Sequence, residues 1–162
     1  MRRWLYATAG RGALSYYTLA PLGYRLLHGP DSAFPARGHF GPVGIARQAH
    51  TQALADAIVH LFVGASRAGI SVETFWRENA LRLSIASECL YPDAAFQVPG
   101  PDGRFAFFVE LDNRTETVCI GASLDSWGRK VRFYEKYQDA QADRFRVLLI
   151  TTGGPERLSH ML

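Results

Sequence analysis

Cysteine is almost missing from this chain. Cys89 and Cys119 are the only two, too few for a disulfide scaffold or a zinc cage, and such sparing use fits a reducing cytoplasm. Long apolar runs are missing as well. None reaches the length of a membrane span, and Met1-Arg-Arg-Trp4 opens without the apolar segment of a signal peptide. A cytoplasmic location away from membranes is the expectation. No Ser-His-Asp order, dinucleotide fingerprint, internal repeat or low-complexity tract is present. Thr152-Gly-Gly-Pro-Glu156 places two glycines before a helix start, but no Lys follows, so it reads as a turn and not as a phosphate-binding loop. Charge is neither scarce nor one-sided. Lys and Arg number 18 against 15 Asp and Glu, a net +3 with 20% charged and 48% apolar residues, ordinary for a globular protein. Arg far outnumbers Lys, and a phosphate-binding surface would use the Arg fork, although base composition explains an Arg excess equally well. A length of 162 residues suffices for one compact domain, or one with a small appendage.

What the chain does have is an acidic hairpin. Tyr91-Pro92-Asp93 begins a strand running to Val98, Pro99 to Gly103 turn the chain back, and Phe105 to Asp112 return. The return strand alternates. Phe105, Phe107, Val109 and Leu111 point one way, and Ala106, Phe108, Glu110 and Asp112 the other. Glu110 and Asp112 thus share a face, roughly 6–7 Å apart. Antiparallel pairing brings Asp93, at the start of one strand, to Glu110, near the end of its partner. Three carboxylates at one hairpin end repel unless neutralised. A hard divalent cation such as Mg²⁺ is the usual answer, because it takes oxygen ligands and keeps waters or phosphate oxygens in its remaining positions. The plain alternative is that these acids sit in water as ordinary surface charges.

Around the hairpin the elements fall in order. Trp4 to Tyr6 and Leu14 to Leu19 read as two strands, and Pro21 opens a short helix over Leu22 to Leu27. Pro30 to Pro42 reads as a linker, with Phe34 and Phe40 tucked against a neighbour. Ala46 to Arg67 is a long helix whose stripe is His50, Leu54, Ile58, Leu61 and Ala65; a His in such a stripe is more often a hydrogen-bonded core residue than a ligand. Ser71 to Arg77 reads as a strand, and Glu78 to Ile85 as a helical or irregular insert. Glu73, Glu78 and Glu88 could each add a carboxylate. Ser123 to Ala140 is the second long helix, with Leu124, Trp127, Val131 and Tyr134 against the sheet and Arg129, Arg132 and Lys136 on the outer face. Lys130 flanks the packed stripe. It either reaches back toward the acids or snorkels over Tyr134. Phe145 to Thr151 is a short apolar run of the kind that makes a buried central strand, and a last helix covers Arg157 to Leu162 with Pro155 at its start. The domains expected are residues 1–29, a linker over 30–45, and an α/β domain over 46–162.

Pro92-Asp93, a hairpin, then Glu110-x-Asp112 resembles the PD-(D/E)xK nuclease motif. That resemblance implies a restriction-endonuclease-like α/β core, a mixed central sheet flanked by helices, and Mg²⁺-dependent cleavage of DNA. Asp93 and Glu110 would be metal ligands, with Asp112 assisting the metal or its water. Asp112 stands where the motif has Lys, and Lys130, from the helix, would stabilise charge developing on the phosphate instead. The first hairpin and Leu19-Ala-Pro-Leu-Gly23 look like the wing and last helix of a winged-helix domain, with Arg11 at the wing tip. Nothing precedes Met1 to enter a major groove, so a partial winged-helix domain is expected. The whole arrangement resembles the replication-relaxation family, linked to plasmid replication and mobilisation. The residues carrying this likeness are Tyr16 to Gly23 with Leu26-Leu27, His50 with Leu54-Ala55, Pro92-Asp93-Ala94, Phe108 to Asp112 with Glu116, and Lys130 with Tyr134 and Tyr137. DNA is the implied partner, through Arg2, Arg3, Arg11, Arg129 and Arg132. Two other readings stay open: a non-catalytic DNA-binding module on the same fold, and an accessory subunit that pairs with itself or with a relaxase or replication protein through an exposed edge.

Overall fold

The structure is a computed structural model that describes residues 1–5, 15–35, 40–101, 103–113 and 127–161. The chain divides into two compact units, Met1–Thr51 and Gln52–Leu162.

In the first unit, β1 (Arg2–Leu5) pairs antiparallel with β2 (Ser15–Thr18). The residues between them, Arg11 included, lie outside the described residues. Trp4 Nε1 donates to Thr18 Oγ1 at 2.9 Å, which ties the two strands by their side chains. Helix α1 (Pro21–His28) follows, opened by Pro at its first position, where no backbone donor is needed. Phe34 and Phe40, in the stretch read as a linker, tuck against α1. Phe34 and Phe40 meet edge-to-face at 5.6 Å, and Tyr24 of α1 lies 6.1 Å and 5.8 Å from them. The Tyr16 hydroxyl accepts from the Val43 amide at 2.8 Å.

Helix α2 (Ile45–Arg67) runs from the first unit into the second. The second unit is built on a four-stranded mixed sheet in the order β3-β6-β7-β8, from β3 (Thr74–Trp76), β6 (Ala94–Gly100), β7 (Gly103–Asp112) and β8 (Phe145–Thr151). The first two pairings are antiparallel and β7 with β8 is parallel. A parallel neighbour needs a crossover, and α3 (Trp127–Asp139) lies on it. Strand alternation decides which residue meets which helix. Phe96, Val109 and Leu111 join Leu54, Ile58 and Leu61 of α2 on one face. Ala95 and Phe108 join Phe133 and Tyr134 of α3 on the other. Within the first of these, Phe96 and Phe107 stack at 4.9 Å across the β6–β7 pair. The protein is thus a mixed α/β fold with a mixed central sheet flanked by helices. Among the described residues no helix is long and apolar enough to cross a membrane.

Three sequence expectations need correction. The stretch after Glu78, read as a helical or irregular insert, is irregular to Arg82 and then turns regular: β4 (Leu83–Ile85) and β5 (Glu88–Leu90) form a small hairpin. Ala86, with φ 49°, takes the left-handed turn between them. Leu83, 2% exposed, together with Ile85 and Leu90, gives this hairpin an apolar face that packs beside α3. Among the described residues the apolar run Phe145–Thr151 is an edge strand, not a central one; Leu148 on it is 36% exposed. The central positions belong to β6 and β7. The acidic hairpin also begins later, at Ala94, and keeps pairing to Gly100 opposite Gly103.

Candidate functional site

Strand register positions the acids. Ala94 pairs with Val109, so Asp93 stands just beyond the last β6 pair, at the end of the β6–β7 ladder. Its backbone continues the ladder, the Asp93 amide donating to the Val109 carbonyl at 3.0 Å. Its side chain closes the corner, Oδ2 accepting from the Leu111 amide at 2.7 Å. Pro92 before it is fully buried and has no N–H to satisfy.

Glu110 lies on the α3 face of β7, 1% exposed. Such a charge needs partners, and α3 supplies two. Lys130 Nζ donates to Oε2 at 2.7 Å, and the Tyr134 hydroxyl donates to Oε1 at 2.6 Å. Four residues apart on one helix, these donors emerge on the same side. Burial pushes the Glu110 carboxyl above its usual range. The Lys130 charge and the two hydrogen bonds oppose this, and the charge of Asp93 adds to it. Tyr134 is pushed up too, first by burial and then by the Glu110 charge.

Asp112, also 1% exposed, shares the face but has other partners. Helix α4 (Pro155–Ser159) carries Arg157 to it. The guanidinium donates from Nε to Oδ2 and from Nη2 to Oδ1, both at 2.9 Å, and Thr151 Oγ1 donates to Oδ2 at 2.9 Å. The structure therefore brings together Asp93, Glu110 and Lys130, and sets Asp112 with Arg157 and Thr151. Arg114, Thr115, Glu116 and Thr117 lie outside the described residues.

Of the three further acids left open by the sequence, Glu78 stands beside the site: a carboxylate oxygen of Glu78 lies within 4.8 Å of one of Asp93. Glu73 pairs with Arg104 at 2.6 Å. Glu88 pairs with Lys136 at 2.8 Å, which holds its carboxyl below the usual range, with Arg129 and Arg132 adding smaller charge effects. Arg129, Arg132 and Lys136 thus form one basic stripe on α3 near β5. In the first unit, Arg3 Nε donates to Ser15 Oγ at 2.9 Å; of Arg2 only the backbone in β1 is described.

Two partners escaped the sequence reading. Tyr134 was legible as a packing residue, and its spacing from Lys130 was the available signal for more. Arg157 carries no such signal, being 45 residues from Asp112. Asp93 and Glu78 offer neighbouring carboxylate oxygens of the kind a hard cation takes, while both Glu110 oxygens are hydrogen-bonded to Lys130 and Tyr134. Asp112, with both oxygens on Arg157, fits that role less well.

The sheet, its flanking helices and this buried acid–lysine group define a mixed α/β protein with a concealed ionisable site at the C-terminal end of β7. The replication-relaxation family matches residues 2–148, and the chain belongs to that family. Membership suggests a role in DNA replication or processing. Comparison with curated proteins and with solved structures gave no match.

Proposed function

We propose that this protein processes DNA through a nuclease-like, Mg²⁺-dependent phosphodiesterase site in its second unit, on a restriction-endonuclease-like core. The observation that carries the reading is the contact of Lys130 with buried Glu110 beside Asp93. The element order supports it: α2, β3, β6, β7, α3, β8 runs α-β-β-β-α-β, with β4–β5 as an insertion. Asp93 and Glu110 would hold the ion, with Glu78 near enough to contribute. A bound Mg²⁺ would polarise a phosphodiester oxygen and lower the pKa of a bound water. Lys130 would place its ammonium against the phosphate. Asp112 would act from the neighbouring position on β7, holding Arg157 in its fork. Arg129 and Arg132, with Arg2, Arg3 and Arg11, would carry the DNA backbone. The first hairpin and α1 are read as the partial winged helix.

A second reading, a non-catalytic DNA-binding or accessory protein with a degenerate nuclease fold, draws on a specific observation. Glu110 and Asp112 already have protein cations at hydrogen-bond distance. One assay separates the two. Supercoiled plasmid incubated with Mg²⁺ should be nicked by the wild type and left intact by Asp93→Ala and by Glu110→Ala. Nicking that persists in both variants rejects this site as the catalytic one, and no nicking by any form leaves the binding role.

A further inference from the structure

Among the described residues β8 is an edge of the sheet, and it is poorly guarded. Edge strands are normally blunted by charge, proline or a bulge, because their unpaired amides and carbonyls invite another strand. The seven residues Phe145–Thr151 hold no proline and one charge, Arg146. That charge is drawn back over β7, its guanidinium lying 4.9 Å from the centre of the Phe105 ring. Alternation gives the strand two unlike sides. Leu148 and Ile150 face α2, and Leu148 is exposed. Phe145 and Val147 face α3 and floor a groove of about 540 Å³, whose other wall is Tyr134, Glu135, Gln138 and Asp139. Gln138 fixes that floor. Its Oε1 accepts from the Phe145 amide at 3.2 Å, and its Nε2 donates to the Asp143 carbonyl at 3.0 Å. Glu135 and Asp139 are exposed, and their spacing of four puts both carboxylates on one side of the helix. Among the described residues neither meets a cation.

We propose that β8 and this groove take an extended segment of a partner protein, in which cationic and apolar side chains alternate. Its backbone would pair with the β8 edge as a further strand of the sheet. Period two would send its cationic side chains into the groove, against Glu135 and Asp139, and its apolar ones to the other side, beside Leu148. Charge decides against other occupants. A nucleic acid would bring phosphates against the two carboxylates. A second copy pairing β8 with β8, antiparallel about a two-fold axis, would set one acidic rim against the other, and like charges facing across a strand pair are unfavourable. None of the residues proposed above for DNA or metal is needed for this surface.

The test uses the full chain and a fluorescein-labelled, end-capped peptide of alternating Lys and Val, followed by anisotropy. A net charge of +3 on the chain opposes bulk attraction of a cationic peptide, so binding reports the local rim. The wild type should bind the Lys-Val peptide and leave a Glu-Val peptide free. Glu135→Gln combined with Asp139→Asn should weaken binding by about tenfold; both side chains are exposed, so the variant keeps its core. A Lys-Val peptide with proline at its centre, which lacks an amide donor there, should not bind. In the wild type the peptide should shift the backbone amide resonances of residues 146–150. Absence of binding, or binding indifferent to both the double substitution and the proline, overturns the proposal. Duplex DNA that reproduces the shifts at residues 146–150 gives the groove to nucleic acid and overturns it too. So does a dimer, seen by sedimentation, that the peptide does not dissociate and that Leu148→Lys does, because the edge then belongs to a second copy.

Discussion

Asp112 is a carboxylate with almost no water, and its stability depends on Arg157. The pair is bidentate, which suits the planar guanidinium, and Thr151 supplies a third donor. A buried ion pair of this kind adds little net stability over an apolar pair, yet removing one partner strands the other. Arg157→Met should therefore destabilise the protein by about 3–5 kcal/mol, read as a lower urea midpoint at unchanged slope. Asp112→Leu combined with Arg157→Met should recover most of that loss. If the single variant costs nothing, the bond to Asp112 is not what holds α4 in place. Glu110 obeys the same rule with a different solution: its partners are the Tyr134 hydroxyl and the Lys130 ammonium.

At the scale of elements, α3 does two jobs from two adjacent sides. Phe133 and Tyr134 pack on Phe108 and Ala95 of the sheet, and Lys130, one turn earlier, reaches Glu110. Its arginines and Lys136 lie toward the small β4–β5 hairpin, where Glu88 takes Lys136. That hairpin is part of the core, and Leu83 is its anchor. Leu83→Ala should cost about 2–5 kcal/mol, a size reserved for well-packed core positions and far above a surface substitution. A loss below about 0.5 kcal/mol, by calorimetry or urea, would show the hairpin to be peripheral. At the far end of the acidic hairpin, Gly103 holds φ at 138°, a conformation other residues resist. The turn can therefore close with Gly100 paired to Gly103, and the register that follows is what brings Asp93 to the C-terminal end of β7.

For the whole molecule, a net charge of +3 is too small to make DNA binding a matter of bulk attraction. On the proposed DNA-binding role, affinity would come from a few placed arginines, each releasing counterions from the phosphates it meets. Replacing Arg129 and Arg132 together by Gln should lower the slope of log affinity against log salt by about 2, measured by fluorescence anisotropy on duplex DNA. An unchanged slope removes α3 from the DNA interface. How far all this was legible beforehand depends on range. The amino-acid order alone determined what obeys a local period: the alternation that puts Glu110 and Asp112 on one face of β7, the helices around Leu54 and Tyr134, and the turn at Gly103. Tertiary structure alone decided the rest. An apolar run such as Phe145–Thr151 reads the same at an edge as at the centre, since only its neighbours distinguish them. Glu78 came beside Asp93 because β3 pairs with β6, Trp76 against Ala95, a pairing of strands distant in sequence. Arg157 found Asp112 across 45 residues, because burying a charge compels the fold to bring a partner to it, and no local pattern records where that partner lies in the chain.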